Sequence, residues 1–193
     1  SYQTTADLRS SHQDRLLRAE DLSESAATLI VASDALVEHW AEQIGMHVVD
    51  QGLRIYVDKP EKLQEALPES KVLAAYDVVI VSFARMTKEF LLSVHWLRAV
   101  VDEGHTLGSG TTTQLMEMTR LLCAERRWVM AGTPSSSTFR SADLQYLHGI
   151  LTFLRVQPYG QPDGQAWAKA IVRPFQKEEV AAFIGFYTCS PVL

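Results

Sequence analysis

The stretch that decides the fold is Trp96-Leu97-Arg98-Ala99-Val100-Val101-Asp102-Glu103-Gly104-His105. Leu97 to Val101 is a short apolar run with adjacent valines, the pattern of a strand buried on both faces. Asp102 and Glu103 follow where that strand must end, and Gly104 comes at once. In open α/β sheets, ligands bind just beyond the carboxyl ends of the strands. Carboxylates placed there can hold Mg2+, directly or through water, and can orient a water toward a phosphate. The plainer alternative is a strand that runs into a polar turn, so the rest of the chain has to decide between them.

Working outward, strands and helices alternate. Thr28–Ala32 reads as a strand, and Ser33-Asp34 offers an N-cap for a helix from Ala35 to about Ile44, with Gly45 as its stop. Leu36, Trp40 and Ile44 recur on one face of that helix. Leu53–Val57 reads as a second strand, followed by short helices over Pro60–Leu67 and Glu69–Ala75. Tyr76–Ser82 is a third strand, and Ala84–Leu92 a helix leading to the opening stretch. Beyond Gly110, a helix is expected over Thr112–Ala124, then a fifth strand over Arg127–Ala131 that ends in Gly132-Thr133-Pro134. Leu144, Leu147, Ile150, Leu151 and Leu154 make a late amphipathic face, and Pro158–Gly164 a loop. This order predicts βαβ units and a mostly parallel sheet with helices on both faces.

Composition narrows the class of protein. A net charge of −5 gives no general attraction to nucleic acid, so any DNA contact must be local. Cys123 and Cys189 lie far apart without metal-like spacing, which favours a reduced, intracellular setting. No apolar run approaches the ~18 residues of a membrane span, and no signal peptide is visible, so no membrane partner is expected. The chain opens at Ser1 without Met, so a fragment or processed product is expected.

Two strand ends now carry polar groups, Asp102-Glu103-Gly104-His105 and Gly132-Thr133-Pro134. In a parallel sheet both lie on one rim and can face one nucleotide. With these motifs the chain resembles the first RecA-like lobe of a superfamily-two helicase, and within that group the switch/sucrose-nonfermenting (Swi/Snf) family of DNA-translocating ATPases. Four segments carry the likeness in the family's order: Thr28–Trp40, Tyr76–Phe83, Trp96–His105 (a near-complete Walker B, or Asp-Glu-Gly-His, box) and Arg127–Pro134. Asp143–Phe175 is similar to the branch that holds the helicase-like transcription factor and its ring-finger-bearing DNA-repair relatives.

The resemblance implies specific roles. Asp102 would bind Mg2+, through water, and Glu103 would orient or deprotonate the attacking water. His105 would sense the γ-phosphate or link the site to Thr133, and Thr133 after Gly132 would relay the nucleotide state. Ser33 and Ser82 would contact the DNA backbone; simple capping or turn roles are the alternative for each. Trp40, Trp96 and Trp128 are assigned to packing. The pair Arg126-Arg127 reads as a solvated surface pair in preference to a DNA-steering one. ATP and Mg2+ would be the ligands. Double-stranded DNA, chromatin, a second RecA-like lobe and the Walker A segment of the parent chain would be the partners. The nucleus would be the setting, in chromatin remodelling or DNA repair. The expected organisation is a mobile leader over 1–25, a partial RecA-like ATP-binding lobe over 26–157, and the start of a helical subdomain over 158–193.

Departures from the family's pattern shape a second reading. No Gly-x-x-x-x-Gly-Lys-Ser/Thr occurs in the chain, so the phosphate cradle and its Lys are missing. Thr106-Leu107-Gly108-Ser109 stands where basic residues are usual, Ser135-Ser136-Ser137 follows Pro134, and Ser33 replaces a usual Pro. The second lobe's arginine finger is absent too. The chain alone is therefore expected to be a poor ATPase and only marginally stable. The rival reading is a degenerate lobe that has lost hydrolysis and serves as a protein- or DNA-binding module. A third is an unrelated doubly wound α/β enzyme using Asp102 for metal.

Overall fold

The computed structural model describes residues 22–49, 52–59, 66–85, 89–104, 121–132, 141–161 and 163–177. The chain divides into two compact units, with the described residues up to Gly132 in the first and those from Ser141 onward in the second. The late amphipathic helix packs with the residues that follow it, within the second unit.

The described strands of the first unit are β1 (Ser23–Glu24), β2 (Thr28–Ala32), β3 (Ile55–Val57), β4 (Val78–Ser82), β5 (Val94–Val101) and β6 (Cys123–Val129). They form one sheet. β5 carries β1 and then β2 along one side and β6 along the other, and β4 and β3 continue beyond β2. Every ladder is parallel. Ala32 stands opposite Ser82, and Val101 opposite both Val31 and Val129, so the strands end on a common rim.

Burial explains why these runs pair. Leu29, Val31, Val79, Val81, Ala99 and Val101 have no exposed surface, as expected of parallel strands covered on both faces. The alternate residues Ile30, Val78 and Ile80 pack with Val37, Trp40, Ala41 and Ile44 of helix α1 (Asp34–His47). α1 begins after Ser33, as predicted, but continues through Gly45 for two more residues. A mid-helix glycine costs only about 1 kcal/mol, and the backbone bond from Val48 to Ile44 holds the last turn.

Several elements differ from expectation. Ser23–Glu24, placed in the leader, pairs with Val94 and His95, and the Glu24 carboxylate meets His95 Nδ1 at 3.0 Å. The helix expected over Ala84–Leu92 is a short 3-10 turn, Phe83–Arg85, followed by helix α3 (Glu89–Leu92); α2 (Ser70–Ala74) precedes β4. Most of the Pro60–Leu67 helix and most of the Thr112–Ala124 helix fall outside the described residues. Cys123 and Ala124 open β6 instead, and that strand stops at Val129. Pairing with β5 decides this, since Cys-Ala-Glu-Arg has no strand signature of its own. Trp96 is packed as expected, with its indole N–H on the Leu91 carbonyl at 3.0 Å. Trp128 is not: it is 54% exposed, on a strand whose far side no described residue pairs. Arg126 is exposed, while Arg127 is half-buried and donates to the Leu122 carbonyl.

In the second unit, helix α4 (Ser141–Leu154) leads through a turn with a cis Gln157–Pro158 bond into α5 (Gln165–Trp167), a π-helical stretch (Ala168–Val172) and α6 (Arg173–Gln176). Leu144, Trp167 and Ile171 form its core. The His148 ring stacks on Trp167 at 5.8 Å, and burial pushes its pKa below the ordinary histidine range despite the nearby Gln161 backbone and Asp163. Among the described residues no helix is long and apolar enough to cross a membrane.

Candidate active site

Asp102, Glu103 and Gly104 form the turn that leaves β5 at the rim. The backbone holds this turn on both sides. Asp102 N–H donates to the Val31 carbonyl of β2 at 2.9 Å, and Gly104 N–H donates to the Met130 carbonyl beyond β6 at 3.0 Å. Gly104 is buried, and a Cβ there would lie 2.2 Å from Val129 Cγ1. Only glycine lets the turn close onto the neighbouring strand.

Glu103 takes a φ of 53°, the left-handed region that few non-glycine residues adopt. Its amide donates to Asp102 Oδ1 at 2.8 Å, so the carboxylate of one acid stabilises the backbone of the next. Strain of this kind, held by surrounding structure, gathers at functional sites. Both acids are half-buried at the rim. Asp102 Oδ2 accepts a hydrogen bond from the Trp40 indole N–H at 2.8 Å, across from α1.

This geometry suits a hard cation held by one carboxylate together with phosphates and water. Each Asp102 oxygen already accepts one protein hydrogen bond and keeps lone-pair capacity for a water or cation. Mg2+ is commonly held through one or two carboxylates plus substrate phosphates, so an all-protein cage is not needed. Among the described residues no cluster of three or more His, Cys, Asp or Glu could form such a cage.

The other residues singled out from the sequence divide. Gly132 is exposed just beyond the end of β6, whose terminal Val129 stands opposite Val101. His105 and Thr133 lie outside the described residues. Ser33 is half-buried at the N-cap position of α1, and its side chain makes no capping bond. Ser82 is wholly buried at the end of β4. It stands in register with Ala32 of β2.

Two contacts escaped the sequence reading. Trp40, assigned to packing, does pack on the core but also holds Asp102. Side chains on a helix lean toward its N-terminus, which here is the rim, so a residue two turns into α1 can reach back to the strand ends. The second contact is a buried ion pair near the same rim. Arg85 Nε meets Asp58 Oδ2 at 2.6 Å and its terminal nitrogen meets Oδ1 at 3.0 Å, with both side chains 2% exposed. Away from the rim, the Arg54 amide donates to Asp77 Oδ2 at 2.7 Å and holds that carboxyl below the usual range.

Similarity to known proteins extends over nearly the whole chain. The SNF2-related domain family matches residues 6–185. F-box protein At3g54460 of Arabidopsis thaliana is 40% identical over 164 residues, covering 80% of this chain and 11% of the relative. DNA repair protein RAD5A of the same plant is 30% identical over 173 residues, covering 84% of this chain and 16% of the relative. The mouse helicase-like transcription factor is 31% identical over 153 residues, 77% of this chain and 14% of the relative. The chain thus spans a small fraction of these relatives. Among solved structures, the Sulfolobus solfataricus SWI2/SNF2 ATPase core in complex with double-stranded DNA superposes with a TM-score of 0.60 at 15% identity, over 92% of this chain and 40% of that one. A second structure, of the Sulfolobus solfataricus SWI2/SNF2 ATPase core domain, gives a TM-score of 0.59 at 18% identity, over 95% of this chain and 34% of that one. The fold is the RecA-like α/β fold of those cores, and the chain belongs to the SNF2-related domain family.

Proposed function

We propose that this chain supplies the acidic half of the ATP site in the first lobe of a DNA-dependent, helicase-like ATPase that translocates on duplex DNA. The observation that carries this is the Asp102-Glu103-Gly104 turn: a held carboxylate and a second acid on a strained backbone, at the shared rim of a parallel sheet. Family membership supports it, as does a solved relative whose structure includes double-stranded DNA.

When bound, Mg2+ would supply the positive charge that phosphoryl transfer from ATP requires. Asp102 would hold the ion through a water, with its own position fixed by Trp40 and the Glu103 amide. The Glu103 carboxylate would accept a hydrogen bond from the attacking water, orient it, and take its proton. His105 would sense the γ-phosphate, and Gly132-Thr133 would pass its loss to the second lobe. Ser33, with a hydroxyl that does not cap α1, would contact a backbone phosphate of the duplex. The whole protein would work in the nucleus, on chromatin or at sites of repair, in concert with a Walker A segment and a second RecA-like lobe. The present segment alone would turn over slowly, since an arginine finger by itself is worth roughly 10³–10⁵ in rate.

The test is DNA-stimulated ATP hydrolysis by the whole protein before and after Glu103→Gln. The amide keeps the shape of the side chain and removes its basicity, so turnover should fall by roughly 10²-fold or more. An unchanged rate would remove Glu103 from the reaction. A whole protein that binds DNA without hydrolysing ATP would favour the non-hydrolysing binding module, the reading motivated by Thr106–Ser109 and Ser135–Ser137.

A further inference from the structure

The Trp40 indole N–H reaches Asp102 from another element. The two residues are 62 positions apart, joined at 2.8 Å in partly buried surroundings. There the hydrogen bond is a directional constraint. A carboxylate in a strand-end turn can rotate about its side-chain bonds, and the Glu103 amide restrains only Oδ1. The indole fixes Oδ2 and so defines the plane of the group. Trp40 itself is firmly seated, because its ring packs with Ile30, Val37, Val78 and Ile80. It is the stiffest kind of outer partner: a rigid ring in a core, with one donor pointing at the functional acid.

We infer that Trp40 is a positioning residue, which sets the Asp102 carboxylate for magnesium and ties it to helix α1. This rests on the proposed metal role of Asp102 and adds to it. α1 begins immediately after Ser33, so a displacement of that helix would be felt at the carboxylate through one rigid side chain. Partners of this kind, one shell out from a metal, typically contribute tenfold to a hundredfold in metal affinity or activity.

The experiment is equilibrium binding of a fluorescent N-methylanthraniloyl ATP to the whole protein across a magnesium titration, with no turnover involved. Four variants are compared: Asp102→Asn, Trp40→Phe, the double change, and Ile44→Ala. Phenylalanine retains most of the packing and loses the donor. Ile44→Ala disturbs the same core without touching Asp102. The expected result is that Trp40→Phe raises the magnesium concentration for half-maximal binding by about tenfold to a hundredfold. Nucleotide affinity without magnesium should be unchanged. Asp102→Asn should do the same or more, the double change should add little to it, and Ile44→Ala should leave the magnesium midpoint in place. A shift with Asp102→Asn but none with Trp40→Phe overturns the positioning role alone. Equal shifts from Trp40→Phe and Ile44→Ala overturn it as well, by showing a general effect of core damage. No shift with Asp102→Asn removes the metal role of Asp102 and, with it, any task for Trp40.

Discussion

At the scale of single residues, the site is a set of conformational demands that particular side chains meet. Gly104 is present because β6 leaves no room for a Cβ, and Glu103 bears a backbone conformation that costs of order 1–3 kcal/mol. Ser82 presents the opposite case, a hydroxyl fully buried and without a hydrogen-bond partner among the described residues. An unsatisfied buried polar group costs free energy that an apolar group of similar size does not. Ser82→Ala should therefore stabilise the protein by about 1 kcal/mol, read as a higher urea midpoint. It should leave DNA-stimulated hydrolysis unchanged. A loss of DNA affinity would instead support the DNA-contacting role that the sequence suggested for Ser82.

At the scale of elements, strand ends are pinned to one another by contacts that sequence patterns do not reveal. The strands β2, β4 and β5 were legible because dense β-branched and apolar runs have few other uses. β6 was misplaced toward its C-terminal end, because its first half is polar and becomes a strand only through its ladder with β5. The Asp58–Arg85 pair was invisible for a related reason: in sequence, a buried charge looks the same as an exposed one. This pair clamps the turn after β4 to the end of β3. Removing one partner leaves the other ionised in the interior, so Arg85→Met alone should cost about 3–5 kcal/mol. Changing both together, to Arg85→Met with Asp58→Leu, should cost clearly less. Chemical denaturation of the two variants checks this, and equal losses would mean that the pair is worth more than its burial penalty suggests.

At the scale of the whole molecule, one sheet gathers residues from distant parts of the chain onto a rim, and the chemistry follows from that gathering. The acidic pair could be read from the sequence, since two carboxylates after a buried strand have a recognisable place in a parallel sheet. The indole that holds one of them could not, because 62 positions separate the two and spacing carries no information about strand order. On the proposed function, a magnesium-bound triphosphate sits at the end of β5. The most direct measurement is a structure of the whole protein with a non-hydrolysable ATP analogue and Mg2+. It should show a magnesium-bound water on the Asp102 carboxylate, the Trp40 indole still on Oδ2, and the γ-phosphate facing Glu103. A nucleotide lodged at a different strand end, with Asp102 and Glu103 facing only solvent, would contradict the account.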